Sequence, residues 1–93
     1  MANISDENNR MELGKLYFLN NRFDEAVKEF KEVIKLNPGN AEAYYHIGLI
    51  NESQNKVQEA KEMYTEALKY KEDYKMAQDR LNKLIGIEEA TEQ

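Results

Sequence analysis

The feature that most constrains this chain is an internal period. Residues 7–40 written above residues 41–74 align without a gap, at a repeat of 34 residues. The identities are Gly14 over Gly48, Asn21 over Asn55, Glu25 over Glu59, Ala26 over Ala60, Glu32 over Glu66 and Lys35 over Lys69. Similar residues fill in around them: Leu13 over Ile47, Leu16 over Ile50, Arg22 over Lys56, Phe23 over Val57, Phe30 over Tyr64 and Ile34 over Leu68. A third, partial copy follows, with Ala77, Leu81 and Leu84 in register with Ala43, Ile47 and Ile50. A unit this short cannot bury its apolar face alone, so such a chain must stack its units into one continuous core.

Each unit reads as two helices. In the second, Tyr44, Ile47 and Ile50, then Val57, Ala60, Met63, Tyr64, Ala67 and Leu68, recur at three- and four-residue steps, the period of one helix face. In the first, Leu13, Leu16 and Tyr17, then Phe23, Ala26, Val27, Phe30, Val33 and Ile34, do the same. Asn20-Asn21 and Ser53-Gln54-Asn55 are the polar turns, and Asn37-Pro38-Gly39-Asn40 is the strongest break. The pattern predicts helices over 7–20, 23–36, 41–53, 57–70 and 74–86, with the tail after Gly86 continuing the last helix or fraying. Asn40 is placed to cap the third helix, and Ser5 or Asp6 the first. Gly14 and Gly48 on first helices, with Ala26 and Ala60 on second helices, would let backbones approach closely, the Phe30 and Tyr64 rings filling the wider end. A helical glycine costs about 1 kcal/mol relative to alanine, so its recurrence in register points to packing.

Charge and composition exclude several functions. Lys plus Arg number 13 against 18 Asp plus Glu, a net charge of −5, which gives no general attraction for a phosphate backbone, so no nucleic-acid partner is expected. With no cysteine there are no disulfides or thiolate sites, which fits a reducing compartment and a cytoplasmic location. No apolar run approaches the ~20 residues that span a bilayer, and the first residues have neither the basic stretch nor the apolar core of a signal peptide. One proline and four glycines leave little for a turn-rich β fold. The widely separated glycines form no phosphate loop, and Ser5 and Ser53 have no adjacent histidine. His46 is the only histidine and has Glu42 four residues before it on one helix face, but a zinc site wants three or four ligands. No enzyme, metal or cofactor is expected.

The pattern resembles the tetratricopeptide repeat, a helix-turn-helix unit of this period. The first unit supplies Leu13-Gly14, Tyr17, Ala26, Phe30 and Pro38, and the second Tyr44, Ile47-Gly48, Ala60, Tyr64 and Ala67. Departures fall at Arg10 and Asn51, where an aromatic is usual, at Val33, where alanine is, and at Glu72, where proline is. The segment from Tyr74 to Ile85 is similar to the extra helix that closes such arrays. The resemblance implies an all-α fold of about five helices in a short right-handed superhelix. It comprises a lead-in over 1–6, repeats over 7–40 and 41–74, a capping helix over 75–86 and a tail over 87–93. It also implies a non-catalytic scaffold that holds a peptide or partner helix in a concave groove lined by first helices.

By that geometry the groove draws Asn8, Met11, Glu12, Lys15, Phe18 and Leu19 from the first helix. The second-repeat helix adds Glu42, Tyr45, His46, Leu49 and Glu52, and the closing helix Met76, Asp79, Arg80 and Lys83. Met11, Phe18, Tyr45 and Leu49 are surplus to the seam of Leu13, Leu16, Tyr17, Tyr44, Ile47 and Ile50. They read either as an apolar anchor for a ligand or as packing between adjacent first helices. Lys15, His46, Arg80 and Lys83 would add polar contacts, against Glu12, Glu42, Glu52 and Asp79 on the same surface. One branch of the family clamps chaperone carboxylates with Lys, Asn, Asn, Lys and Arg. The matching positions here hold Met11, Lys15, His46, Met76 and Arg80, so only Arg80 keeps its type and that ligand is not expected. The second reading of the chain is structural: a self-assembling homo-oligomer, or a fragment of a longer array, since two repeats and a helix make a short stack.

Overall fold

Close approach between paired helices sets the architecture. The computed structural model describes the backbone of residues 4–92 and the side chains of residues 6–86. Five helices follow one another: α1 (Ile4–Leu19), α2 (Phe23–Leu36), α3 (Ala41–Ser53), α4 (Val57–Tyr70) and α5 (Lys75–Glu92). Among the described residues there is no strand. A Cβ built on Gly14 would lie 2.6 Å from the Phe30 ring, and one on Gly48 2.6 Å from the Tyr64 ring. Each glycine therefore lets an aromatic from the second helix lie directly on the backbone of the first, so α1 pairs with α2 and α3 with α4. The short turns inside the pairs are set by Asn21 (φ 60°) and Asn55 (φ 61°). Both are left-handed, a conformation asparagine tolerates better than most residues. Past Asn21 the Arg22 N–H donates back to the Tyr17 carbonyl at 2.8 Å, and past Asn55 Lys56 donates to Asn51 at 2.8 Å, which satisfies carbonyls at the helix ends.

Between the repeats, the Asn40 side chain accepts from the Ala43 N–H at 3.0 Å and caps α3. Glu7 of α1 reaches the same turn, accepting from Asn37 Nδ2 at 2.8 Å and Asn40 Nδ2 at 2.7 Å. The helix expected from residue 7 begins at Ile4 instead. Ser5 and Asp6 therefore lie inside its first turn and not ahead of it; Asp6 there carries its charge favourably toward the helix dipole. The rest of the expected lead-in, residues 1–3, lies outside the described residues. At the other end, α5 runs past Gly86 to Glu92.

Two apolar clusters hold the stack together. One joins Met11 of α1 to Ala26, Phe30 and Val33 of α2 and Ala43, Ile47 and Ile50 of α3. The other joins Ala41 and Tyr45 of α3 to Ala60, Tyr64 and Ala67 of α4, with Tyr74 just before α5 and Ala77 and Leu84 within it. Each cluster is thus one helix pair closed by the next first helix. The seam expected at Leu13 and Leu16 is a correction: they are 39% and 57% exposed, while their counterparts Ile47 and Ile50 are buried. The reason is positional, since α2 covers α3, but no described helix lies on the corresponding face of α1. Arg10, on that open side, pairs with Glu29 at 3.0 Å. Its counterpart Tyr44 stacks on Tyr70 at 5.6 Å and donates to the Pro38 carbonyl at 3.0 Å.

Candidate binding groove

The three first helices lie side by side through contacts between the faces picked out in the sequence. Lys15 of α1 reaches Glu42 of α3 at 3.0 Å and Glu12 of its own helix at 3.4 Å. The hydrogen bond to Glu42 is the main cause that raises the Lys15 pKa. Between α3 and α5, Arg80 grips Glu52 with two donors, Nε to Oε1 at 3.0 Å and Nη2 to Oε2. Tyr64 of α4 donates its hydroxyl to the same carboxylate at 2.8 Å. Burial pushes the Glu52 carboxyl up, but the Arg80 and Tyr64 hydrogen bonds and the Arg80 charge outweigh it and hold the group below its ordinary value. Both cross-helix cations are therefore already neutralised within the protein. Asp79 takes Lys75 at 3.4 Å, and Lys83 stands exposed one turn beyond Arg80.

The apolar members divide by depth. Met11 and Tyr45, read as surplus to the core, are 4% and 9% exposed and belong to it. Neighbouring helices cover them: Met11 lies in the cluster with Phe30 and Ile47, and Tyr45 meets Tyr64 at 5.9 Å and Tyr74 at 5.1 Å. Phe18 and Leu49 are half-buried, and Met76 is exposed. The side chains that offer apolar surface are thus Phe18, Leu49 and Met76, over a floor that includes Tyr45. Beside Met76 a recess of about 490 Å³ is lined by Tyr70, Tyr74, Lys71 and Glu42.

His46 sits in a cluster of rings. Phe30 stacks on it at 5.2 Å, and Phe18 and Tyr45 meet it edge-on at 6.0 and 5.4 Å. Its Nδ1 lies 2.9 Å from the Glu42 carbonyl, and since a carbonyl only accepts, Nδ1 carries the proton. Burial lowers the His46 pKa below 6.5, outweighing Glu42, so the ring is neutral near pH 7 and is no cationic contact. That neutral state was beyond the sequence, because Phe30 lies 16 positions away on α2 and no local spacing links it to His46. A larger cavity, about 760 Å³, lies elsewhere, between α4 and α5, lined by Tyr44, Met63, Leu81 and Ile85 with polar residues of α4. None of the groove residues lines it. Among the described residues no three His, Asp or Glu side chains come together as metal ligands, and no helix is long and apolar enough to cross a membrane.

Comparison with known proteins agrees with this arrangement. A family model described as TPR repeat matches residues 14–55, and one described as Tetratricopeptide repeat matches residues 41–74. No curated protein sequence matches the chain. Among solved structures, the chain is similar to the first TPR of Spaghetti (RPAP3) bound to the HSP90 peptide SRMEEVD. The TM-score is 0.56 at 18% identity, over 92% of this chain and 95% of that one.

Proposed function

The chain belongs to the tetratricopeptide repeat family, and from that premise we propose that it is a non-catalytic interaction scaffold whose α1, α3 and α5 faces hold a peptide or a helix of a partner protein. The observation that carries the reading is the juxtaposition of these faces by Lys15–Glu42 and Glu52–Arg80, with Phe18, Leu49 and Met76 left with apolar surface among them. The peptide held by the similar repeat of RPAP3 supports the ligand class. Met11, Lys15, Phe18, Tyr45, His46, Leu49, Met76, Asp79, Arg80 and Lys83 make up the proposed surface, with Met11 and Tyr45 as its floor. The immobilised chain is tested in a lysate beside a Leu49→Ala, Met76→Ala variant; Tyr45 is left intact because its truncation would disturb the core. Proteins retained by the wild type and lost by a folded variant support the groove. Identical capture by both would refute it.

A second reading, self-association, is favoured by one specific feature. Leu13, Leu16 and Leu19 follow one another at three-residue steps along α1 and are 39%, 57% and 74% exposed. Such an exposed ridge is a recognised hallmark of an interface. Sedimentation over a concentration series tests it: mass that grows with concentration and reverts with Leu16→Glu supports pairing through α1, and a constant monomer mass rejects it.

A further inference from the structure

The groove's polar groups differ in how far the protein itself uses them. Arg80 is engaged twice by Glu52, and Lys15 by Glu42 and Glu12, so at both cross-helix cations a ligand carboxylate would have to compete with a carboxylate already in place, and Lys83 is a single exposed, solvated charge. His46 is different. Nδ1 is committed to the Glu42 carbonyl, which leaves Nε2 as a bare acceptor. Among the described residues no hydrogen bond reaches Nε2, and no buried side-chain nitrogen or oxygen lacks a partner. Nε2 is therefore not sealed from solvent, on a ring that is itself half-buried. Phe18 and Tyr45 edge-on and Phe30 face-on fix the plane of the ring, so the lone pair has one direction rather than a range of rotamers.

We propose that His46 Nε2 is a subsite that accepts a hydrogen bond from an N–H or O–H of the bound polypeptide, and that the groove selects an internal, uncharged segment and not an acidic C-terminal tail. The proposal rests on the groove reading above. An unprotonated ring accepts; a protonated one becomes a second donor and repels the same ligand group, so binding weakens in acid. The charged groups that bear on the ring are Lys15 from α1, which opposes its protonation, and Glu42 from α3, which favours it. Tyr45 also adjoins it, and the Phe30 face from α2 adds no charge. Burial is the largest influence and keeps the ring neutral.

Two measurements test this. The first is imidazole ¹⁵N NMR of the unliganded chain as a function of pH. At neutral pH the expected spectrum has a proton on Nδ1 and none on Nε2, and a ring that titrates below 6.5. A proton on Nε2, or a charged ring at neutral pH, overturns the proposal without any ligand. The second is selection from two random heptapeptide phage libraries, one with the peptide followed by a linker and one ending in a free carboxylate. Enrichment of uncharged sequences from the linker library is expected. Their affinity should fall roughly three- to tenfold as the pH is lowered through the titration of the ring seen by NMR, the worth of one hydrogen bond. His46→Gln, which keeps an acceptor near Nε2 but does not titrate, should abolish that fall. Its fold is checked by circular dichroism. A fall that persists in His46→Gln, or enrichment confined to free acidic termini, overturns the subsite and leaves the groove standing. No enrichment from either library overturns both.

Discussion

Gly48 shows how a single missing side chain decides a helix–helix distance. Its Cβ would meet Tyr64 at 2.6 Å, and the ring cannot step aside, being fully buried with its hydroxyl held by Glu52 at 2.8 Å. Replacement by alanine gains about 1 kcal/mol of helix propensity but overpacks the core at a cost of about 1–3 kcal/mol. Gly48→Ala should therefore lower the thermal midpoint. Gly86 is the contrast: it lies inside α5 with nothing within 4 Å of a built Cβ. Gly86→Ala should raise the midpoint, by up to about 1 kcal/mol of stability. A stabilised Gly48→Ala would show that the pairs are not held at this distance by the glycine. The role of these glycines was legible in the sequence, since recurrence in register at an energetic cost needs a packing reason. The ring cage around His46 was not, because it gathers residues from three helices.

At the level of the elements, the sequence carried helix identity further than helix coverage. The bounds expected for α2, α3 and α4 are those of the structure, because capping asparagine, turn asparagines and apolar spacing agree there. Periodicity, however, says which residues share a face and not what lies against it. Leu13 and Leu16 have the same spacing as Ile47 and Ile50, yet only the latter pair is covered. Met11 and Tyr45 err in the opposite direction, because Met11 joins the cluster of α2 and α3, and Tyr45 that of α4 and α5. The turns were placed correctly, but their left-handed residues were identified only as repeats. Their φ values near 60° give a prediction. Asn55→Ala should destabilise by about 1 kcal/mol, and Asn55→Gly should be neutral or stabilising. Equal midpoints for the two variants in chemical denaturation would contradict this account of the turn.

Across the whole molecule the two apolar clusters differ in chemistry. The first is built around Phe30, and the second around Tyr45, Tyr64 and Tyr74, so pH acts on them unequally. Burial is the leading cause that raises all three of these tyrosines, Tyr74 to about 12 and Tyr64 further still. In the unfolded chain they ionise near 10.0. Above that pH the native state holds protons that the unfolded state has lost, so stability falls as pH rises through the folded values. Each buried group contributes on the order of 1 kcal/mol per pH unit across that window. On the acid side the signs reverse. His46 and Glu52 have lowered values, so their contributions are present above about 6.5 and 4.5 respectively and are lost as pH falls through the folded values. Thermal midpoints should therefore hold near neutrality, decline below about 6.5 and decline again above about 10. Tyr74→Phe should make the alkaline decline shallower while leaving the acid limb unchanged, because Tyr74 gains its shift from burial and not from Glu52 or His46. The check is a set of melts from acid to alkali on both proteins, with tyrosinate absorbance followed in parallel. Midpoints that stay flat above about 10, or absorbance showing all six tyrosines ionised before unfolding begins, would mean that the second cluster is open to solvent and does not close the stack against α5.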